Sequence, residues 1–403
     1  MTPAPHPAGV PDAPTPLHAL LKEKRILVCV GSGGVGKTTT AAAIAVRAAS
    51  EGQKTLVLTI DPARRLANSL GLAELGNEER LVPPEKFAAA GLPLRGSLYA
   101  MMLDTKRTLD ALVEKHAPDA ATRDRILGNR LYAAFSGNLA GSQEYMAMEK
   151  LHEVSLERDY DLIVLDTPPT ANALDFLDAP TRMINMLDTP VLRSLPKMAG
   201  SFSKRAFFGS GIIMNALGRF TGVEFFQALA EFLGNFSDMF DGFKERAQTV
   251  YEGLKKPEVG FLLVTSPAPA TLDEALFFHA KLVEARMPFA GFIVNQVNPP
   301  RPSLDDAALA ALQTRLLAER ELAAITPDSM GALLKKLGRN LRELDLLATV
   351  DLASIEKLRT RARAQTFHAM VPRFNHDIFD LSGLALIGRY LFGDSVVAPG
   401  PSP

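Results

Sequence analysis

Gly31-Ser32-Gly33-Gly34-Val35-Gly36-Lys37-Thr38 decides the fold of this chain. The stretch follows the apolar run 26–30 and opens an Ala-rich segment, which is the strand, loop and helix setting that a phosphate-binding loop requires. The glycines allow consecutive backbone N–H groups to turn inward as an anion-binding nest, and the following helix adds its positive N-terminal end. A Gly-rich turn before an unrelated helix is the alternative. The pattern predicts a nucleoside triphosphate as the ligand.

The residues of this loop have separate predicted roles. The ammonium group of Lys37 is expected to reach the β and γ phosphates. The hydroxyl group of Thr38 can bind a Mg²⁺ ion that keeps most of its waters. The predicted nucleotide-binding residues are Gly33, Gly34, Val35, Gly36, Lys37, Thr38 and Thr39.

Further short apolar runs have the character of buried parallel strands. They lie at 55–60, 162–165, 261–265 and 289–294, with a possible sixth strand at 97–103. Helical patterns separate these runs. The sequence therefore predicts an α/β fold with a doubly wound, mostly parallel sheet of the P-loop NTPase type, and a ligand at the carboxyl ends of the strands.

Two carboxylates follow predicted strands of this sheet. Asp61 comes after the run 55–60, and Asp166 comes after the run 162–165. Phosphoryl transfer needs one group that orients the attacking water and another that reaches Mg²⁺ through its water shell. We expect Asp61 to have the first role and Asp166 the second, although either residue alone could simply cap the following helix.

Composition limits the other classes of function. The 403 residues include 44 basic and 45 acidic side chains, so no global field favours nucleic acid or anionic lipid. The single cysteine, Cys29, excludes a disulfide or a cysteine metal cluster within one chain, and the seven histidines do not cluster at ligand spacing. No segment has the apolar length of a transmembrane helix. We expect a cytoplasmic protein with no integral membrane segment and no nucleic-acid partner.

The chain is expected to form one P-loop domain at 21–395, with disordered tails at 1–20 and 396–403 and helical insertions at about 180–256 and 303–366. Many Phe and Met residues lie in the first insertion, and several Phe residues between 225 and 243 share one helix face. This face either fills the core of a helical subdomain, which is the favoured interpretation, or forms a groove for an apolar helix of a client protein. The second insertion is expected to be a helical hairpin with Ser303 as N-cap.

At this point the chain resembles a known family, the arsenite pump-driving and tail-anchored-protein targeting ATPases, within the P-loop ATPases that also include cell-division and chromosome-partitioning switches. The resemblance covers most of the chain, from residue 25 to residue 391. It is carried by the loop 31–39, Asp61-Pro62-Ala63, Asp166-Thr167-Pro168-Pro169-Thr170, Asn295-Gln296 and Val371-Pro372-Arg373-Phe374.

The resemblance implies roles for three further positions and the same role for Asp61. Asp61 would polarise the attacking water, Asn295 would hydrogen-bond adenine, and Pro372 with Phe374 would line the adenine pocket. It also implies ATP rather than GTP, with Mg²⁺. From the residues alone, Asn295 could equally be a turn residue at a strand end, and Phe374 would be assigned to the core.

Three departures from the family pattern affect these expectations. Many relatives carry a second lysine at the position that Ser32 occupies here, and that lysine reaches the phosphates of a partner subunit. This chain lacks the lysine, and we hypothesise that Arg64 or Arg65 partly replaces its charge. The cysteines that bind metalloids are absent. The Cys-x-x-Cys zinc site that joins two subunits is also absent, so a dimer must use other surfaces.

The leading hypothesis is a Mg²⁺-dependent ATPase whose cycle controls a protein partner, as a homodimer or as a heterodimer with a related ATPase that supplies the missing lysine. One alternative is a nucleotide-dependent spatial switch of the cell-division type. It predicts a basic membrane helix or DNA face, and the C-terminal tail provides neither. Another alternative is the energising subunit of an anion pump.

Overall fold

In the computed structural model, the described residues form one eight-stranded sheet with helices on both faces. The structure describes residues 16–60, 65–129, 132, 142–167, 178–179, 181–182, 185, 242–302, 304–319, 326–362 and 368–393. The strands are β1 (Ile26–Val30), β2 (Lys54–Thr59), β3 (Arg80–Leu81), β4 (Ser97–Met102), β5 (Leu162–Asp166), β6 (Val259–Thr265), β7 (Phe289–Val297) and β8 (His368–Pro372). Their order across the sheet is β3-β4-β2-β5-β1-β6-β7-β8, and only the pair β3–β4 is antiparallel.

The helices connect the parallel strands in the way that βαβ units require. They are α1 (Pro16–Glu23), α2 (Lys37–Glu51), α3 (Arg65–Ser69), α4 (Pro84–Ala89), α5 (Thr105–His116), α6 (Ala120–Leu127), α7 (Ser142–Glu157), α8 (242–253), α9 (Pro269–Glu284), α10 (Asp306–Leu317), α11 (Pro327–Arg361) and α12 (Leu381–Phe392).

Two hydrophobic cores lie on opposite faces of the sheet, because successive strand residues point to opposite sides. In β1, Leu27 and Cys29 belong to the core that α2 and α12 cover, whereas Val28 and Val30 belong to the core that α7 and α9 cover. The central strands are therefore apolar on both faces. This burial explains the continuous apolar runs in the sequence. The parallel pairing of the central strands places their carboxyl ends at one side of the sheet.

The structure confirms the predicted doubly wound, mostly parallel α/β sheet. Strands occur at each of the predicted runs, with ends shifted by up to three residues. Two strands were not predicted. β3 has only two residues, and β8 contains His, Ala, Met and Pro, so neither has a clear apolar pattern.

Two predicted boundaries need correction. Residues 1–20 were expected to be a disordered tail, but α1 begins at Pro16, and its Leu17 and Leu21 are buried in the core under α2 and α12. These two apolar residues supply the packing that a tail would lack. Ser303 was expected to be an N-cap, but the cap of α10 is Asp305, whose side chain accepts a hydrogen bond from the Ala308 N–H group at 2.7 Å.

Most of the first predicted helical insertion lies outside the described residues, as do most of its Phe and Met residues and the tail 396–403. Phe243, at the described end of that region, is 2% exposed and belongs to the core shared with α7 and α9. For this residue the core interpretation applies. In the second region, α10 and α11 pack against each other around Leu309, Met330 and Leu334.

Candidate nucleotide site

The loop between β1 and α2 has the backbone shape of an anion-binding nest. Gly36 has φ 92°, in the left-handed region that glycine adopts without steric cost. A Cβ atom at Gly31 would lie 2.0 Å from the Val264 carbonyl oxygen, and one at Gly36 would lie 2.3 Å from Asn295 Nδ2. Among the described residues, no backbone carbonyl accepts from the N–H groups of residues 33–36. The loop can therefore present these donors to phosphate oxygens.

Asn295 and Gln296, at the end of β7, bind the backbone carbonyl groups of this loop. Asn295 Nδ2 donates to the Val35 carbonyl oxygen at 2.9 Å, and Gln296 Nε2 donates to the Gly34 carbonyl oxygen at 3.1 Å. Gln296 has φ 61°, where the β7–β8 pairing changes register. Carbonyls that bond outward leave the N–H groups of the loop free to face a ligand. The predicted adenine contact of Asn295 stays a prediction, and the role of Gln296 was missed.

Lys37 and Ser32 connect the two ends of the loop. Lys37 Nζ donates to the Ser32 carbonyl oxygen at 2.8 Å, and its side chain is 6% exposed. The Ser32 hydroxyl group donates to Glu274 Oε2 of α9. An acidic side chain thus contacts the position where relatives were expected to carry a second lysine. No sequence signal pointed to Glu274, because it lies 242 residues away and on an ordinary amphipathic helix.

Asp166 lies beside the strand that leads into the loop. The register of β1 and β5 pairs Cys29 with Asp166, and the Asp166 side chain is fully buried. Asp166 Oδ2 accepts a hydrogen bond from the Thr59 hydroxyl group at 2.8 Å. Burial, and secondly the negative charge of Asp166, raise the pKa of the Cys29 thiol well above its usual range. The structure therefore brings Asp166 to the edge where Lys37 and the half-buried Thr38 and Thr39 lie.

Several predicted site residues lie outside the described residues. These are Asp61, the neighbouring Arg64, and residues 168–170 after Asp166. Arg65, the other candidate for compensating the absent lysine, begins α3 and is exposed. Asp61 follows Thr59 by two residues, and Thr59 is paired with Asp166 across β2 and β5. The predicted role of Asp61 stays a prediction.

Pro372 and Phe374 lie at the same edge of the sheet, at the end of β8. Val297 pairs with Pro372, and the Val297 carbonyl oxygen accepts from the Arg373 N–H group at 2.8 Å. Phe374 is half-buried, with its ring centroid 5.8 Å from that of Tyr390 in an edge-to-face arrangement. β8 is next to β7, so this ring is brought to the strand end that carries Asn295. The adenine contacts of Pro372 and Phe374 stay predictions.

The donors at this edge suit Mg²⁺ as well as phosphate. A hydroxyl group from Thr38 and the carboxylate of Asp166 are hard oxygen ligands, which this ion prefers in combination with phosphate oxygens and water. The Val264 carbonyl oxygen beside Gly31 and the Asn295 side chain beside Gly36 leave no room for a Cβ atom at either position, so the close packing of the loop on β6 and β7 requires glycine there. Within the described ranges, no cluster of three His, Cys, Asp or Glu residues forms a separate metal site.

A cavity of about 780 Å³ lies at the amino ends of the central strands, on the side of the sheet opposite to the phosphate-binding loop. Ile26, Ile163 and Val259, at the amino ends of β1, β5 and β6, form its floor, and α7 and α8 form its walls. It is therefore separate from the phosphate-binding loop. None of the helices in the described part of the chain has the length and apolar character of a membrane-spanning segment.

Comparison with known proteins supports the interpretation of the loop. A family model described as "Anion-transporting ATPase" matches residues 24–316. "ATPase GET3" of Malassezia globosa is 27% identical over 177 residues, which are 43% of this chain and 48% of that protein. "Putative arsenical pump-driving ATPase 1" of Aquifex aeolicus is 26% identical over 268 residues, which are 62% of this chain and 58% of that protein. "ATPase ASNA1 homolog" of Entamoeba histolytica is 24% identical over 287 residues, 68% of this chain and 77% of that protein.

The matched segments span about half the length of the Malassezia and Aquifex relatives. The segment that matches the family model contains the phosphate-binding loop, the strands β1 to β7 and nearly all of α10. It covers well over half of the 403 residues and confirms the resemblance inferred from the motifs. The chain belongs to the anion-transporting ATPase family.

Proposed function

We propose that the chain is a Mg²⁺-dependent ATPase of the cytoplasm whose nucleotide cycle controls a protein partner. The observation that carries this proposal is the shape of the loop of residues 31–38. The side-chain amides of Asn295 and Gln296 hydrogen-bond to loop carbonyl oxygens, which leaves the loop N–H groups to face a ligand. Lys37 at the start of α2 and Asp166 at the end of β5 share the same edge. Membership in the anion-transporting ATPase family supports the same reaction class.

The proposed reaction is the attack of water on the γ phosphorus of ATP, with ADP as the leaving group. Asp61 accepts a hydrogen bond from the attacking water and orients it. The loop N–H groups and the Lys37 ammonium group stabilise charge on the transferring phosphoryl group. Thr38 and Asp166 would hold Mg²⁺, directly and through water, and the bound ion would neutralise charge on the β and γ phosphates.

Steady-state ATP turnover, measured with and without Mg²⁺, tests the proposal. We expect Lys37→Ala and Asp61→Asn to lose Mg²⁺-dependent turnover, whereas Lys106→Ala on α5, where Lys106 pairs with Asp110, keeps it. Lys37→Ala should also weaken ATP binding, whereas Asp61→Asn should leave binding close to wild type. Turnover unchanged in Asp61→Asn would contradict the assigned role. Wild-type protein that binds ATP without turnover would mean that a second subunit must complete the site.

We further propose that the partner is an apolar helix of a client protein, bound near the Phe-rich region. The proposal rests on the many Phe and Met residues between 202 and 240 and on the resemblance of the chain to the tail-anchored-protein targeting ATPases. Fluorescence anisotropy of a labelled apolar helical peptide, with and without ATP, tests it. A client site that the nucleotide cycle controls requires an affinity that changes with ATP. An affinity independent of nucleotide, or no binding, would contradict it.

We propose that arsenite does not regulate turnover, although one relative is named as an arsenical pump-driving ATPase. Metalloids bind soft thiolate ligands. The one cysteine of this chain is fully buried, and its thiol pKa is raised, so it does not supply a thiolate. Stimulation of turnover by arsenite in the purified protein would overturn this view.

A further inference from the structure

The long helix α11 carries an exposed apolar stripe. Leu333, Leu337, Leu344 and Leu347 are 57%, 42%, 41% and 50% exposed. With the exposed Asn340 they follow spacings of four, three, four and three residues, which place all five on one face of a helix. We call these five residues the leucine stripe. Contiguous exposed apolar surface of this kind marks an interaction site.

The other face of α11 is already occupied by the rest of the chain. Met330 and Leu334 pack in the small core with Leu309 of α10, and a Cβ atom at Gly338 would lie 2.9 Å from Leu309 Cδ1. Farther along, Asp351 Oδ2 accepts from both the N–H group and Nδ2 of Asn298, each at 2.8 Å. α11 is therefore held in place on the body of the chain, and the leucine stripe is a separate surface.

The stripe is symmetric about its central residue. Leu333 and Leu347 each lie seven residues from Asn340, and Leu337 and Leu344 lie three and four residues from it. In an antiparallel pair of identical helices crossing at Asn340, Leu333 of one copy meets Leu347 of the other, and Leu337 meets Leu344. Asn340 would face its own copy, as polar residues do where they fix the register of paired helices.

Charges beside the stripe have the same symmetry. Lys336 and Glu343 lie one heptad apart on the same flank, and both are exposed. Glu343 pairs with Arg339 within its own helix at 3.4 Å, an exposed contact that leaves the carboxylate available. In the antiparallel arrangement, Lys336 of each copy lies beside Glu343 of the other. The surface is thus complementary to itself, which a two-fold interface requires.

We propose that the leucine stripe of α11 is a dimer interface, and that its occupant is the same stripe of a second copy of this chain in antiparallel orientation. The spacing of the stripe fits apolar helices in general, and the placement of Lys336 and Glu343 is what favours a second copy over a partner of different sequence. The pairing uses neither cysteine nor metal, and it does not depend on the proposed ATPase activity.

Analytical ultracentrifugation of the full chain over a range of concentrations, with and without ATP and Mg²⁺, tests the proposal through charge exchange. We expect a wild-type dimer, and about tenfold weaker association for Lys336→Glu alone and for Glu343→Lys alone, since each places like charges together twice. Mixing the two variants restores pairing, because the acidic flank of one then meets the basic flank of the other. A monomer under all conditions, or single variants that associate like wild type, would overturn the proposal.

Cysteine cross-linking tests the orientation, because native Cys29 is fully buried. Asn340→Cys is expected to form a cross-linked dimer under mild oxidation, whereas Arg342→Cys, exposed on the opposite side of the helix, does not. Leu333→Cys and Leu347→Cys should cross-link only when the two variants are mixed. Cross-linking of either variant with itself would indicate parallel helices and would reject the antiparallel interface. Circular dichroism confirms that each variant folds.

Discussion

Ser32 donates its hydroxyl hydrogen to Glu274 at the rim of the phosphate-binding loop, so α9 places a negative charge at this rim. A carboxylate near the phosphates repels them, and a neutral amide would keep a hydrogen-bonding partner for Ser32. We therefore predict that Glu274→Gln binds ATP several-fold more tightly than wild type, because the wild-type carboxylate contacts the loop directly, whereas salt screens exposed charges that lie farther away. Equilibrium titration with a fluorescent ATP analogue measures this change.

Asp273 supplies the matched control, because it is exposed like its neighbour Glu274 but its carboxylate pairs with Arg361 at 3.3 Å rather than with Ser32 of the loop. Asp273→Asn should bind ATP like wild type. Equal affinities for wild type and Glu274→Gln would show that the carboxylate does not act on the bound phosphates.

At the level of helices, α7 and α8 are joined by an ion pair between the buried Glu149 and the partly buried Arg246. Glu149 Oε1 lies 2.9 Å from Arg246 Nε, with side chains 5% and 19% exposed, and Tyr145 donates to Glu149 Oε2 at 3.1 Å. Removing one member leaves the other charge buried without its counterion. We predict that Glu149→Leu lowers the free energy of unfolding by about 3–5 kcal/mol, measured by urea denaturation.

The double variant Glu149→Leu with Arg246→Met should recover most of that loss, because no buried charge remains. Glu157→Leu removes the exposed pair between Lys115 of α5 and Glu157 of α7 and should have little effect. If the double variant were as unstable as the single variant, the loss would come from packing rather than from the unpaired charge.

The helix α9 gives the fold a pH dependence. His279 lies with its ring centroid 4.5 Å from that of Phe289 and 5.5 Å from that of Phe292, and burial lowers its pKa below the usual range. The unfolded chain then binds a proton more readily than the folded chain, so stability decreases as the pH falls through about 6.5. We predict that His279→Phe loses less stability than wild type between about pH 7 and about pH 5.

Thermal unfolding at a series of pH values measures this difference. Burial also lowers the pKa of His116 and His152, so part of the acid sensitivity should remain in the variant. His376→Phe, at an exposed position, is the control and should follow the wild-type pH profile. A His279→Phe profile parallel to wild type would contradict the prediction.

The elements that sequence reasoning predicted are those with a strong local signal. β1, β5 and β6 are buried on both faces, so their apolar runs are continuous, and the loop of residues 31–38 has a spacing that only a phosphate-binding loop requires. β8, the hydrogen bond from Gln296 to Gly34 and the hydrogen bond from Ser32 to Glu274 depend on residues far apart in the chain. No pattern within a short window predicts that Gln296 meets Gly34 across 262 positions.

At the scale of the whole molecule, the candidate nucleotide site joins segments from both halves of the chain. The loop follows β1, Gly31 lies against the end of β6, and Asn295 reaches it from β7. A ligand bound there stabilises the whole domain by mass action. We predict that Mg²⁺ and ATP at about 100 times the dissociation constant raise the free energy of unfolding by about 2.7 kcal/mol, and that Lys37→Ala abolishes this gain.

Urea denaturation with and without the nucleotide measures this stabilisation, with Lys106→Ala as the control that keeps it. Stabilisation of Lys37→Ala equal to that of wild type would place the nucleotide elsewhere, for example in the cavity at the amino ends of the central strands.

The two edge strands have a consequence for the behaviour of the protein in concentrated solution. At one edge, β3 has two residues and runs against the direction of its neighbours; at the other, β8 ends in Pro372, which has no N–H group to donate. Within the described residues, the rows of backbone groups at the two edges are therefore short, two residues in β3 and five in β8, which limits the length over which a further strand could pair. Concentrating the protein should therefore not lead to fibrils built by sheet extension, and stocks should stay clear and free of thioflavin-positive material during storage.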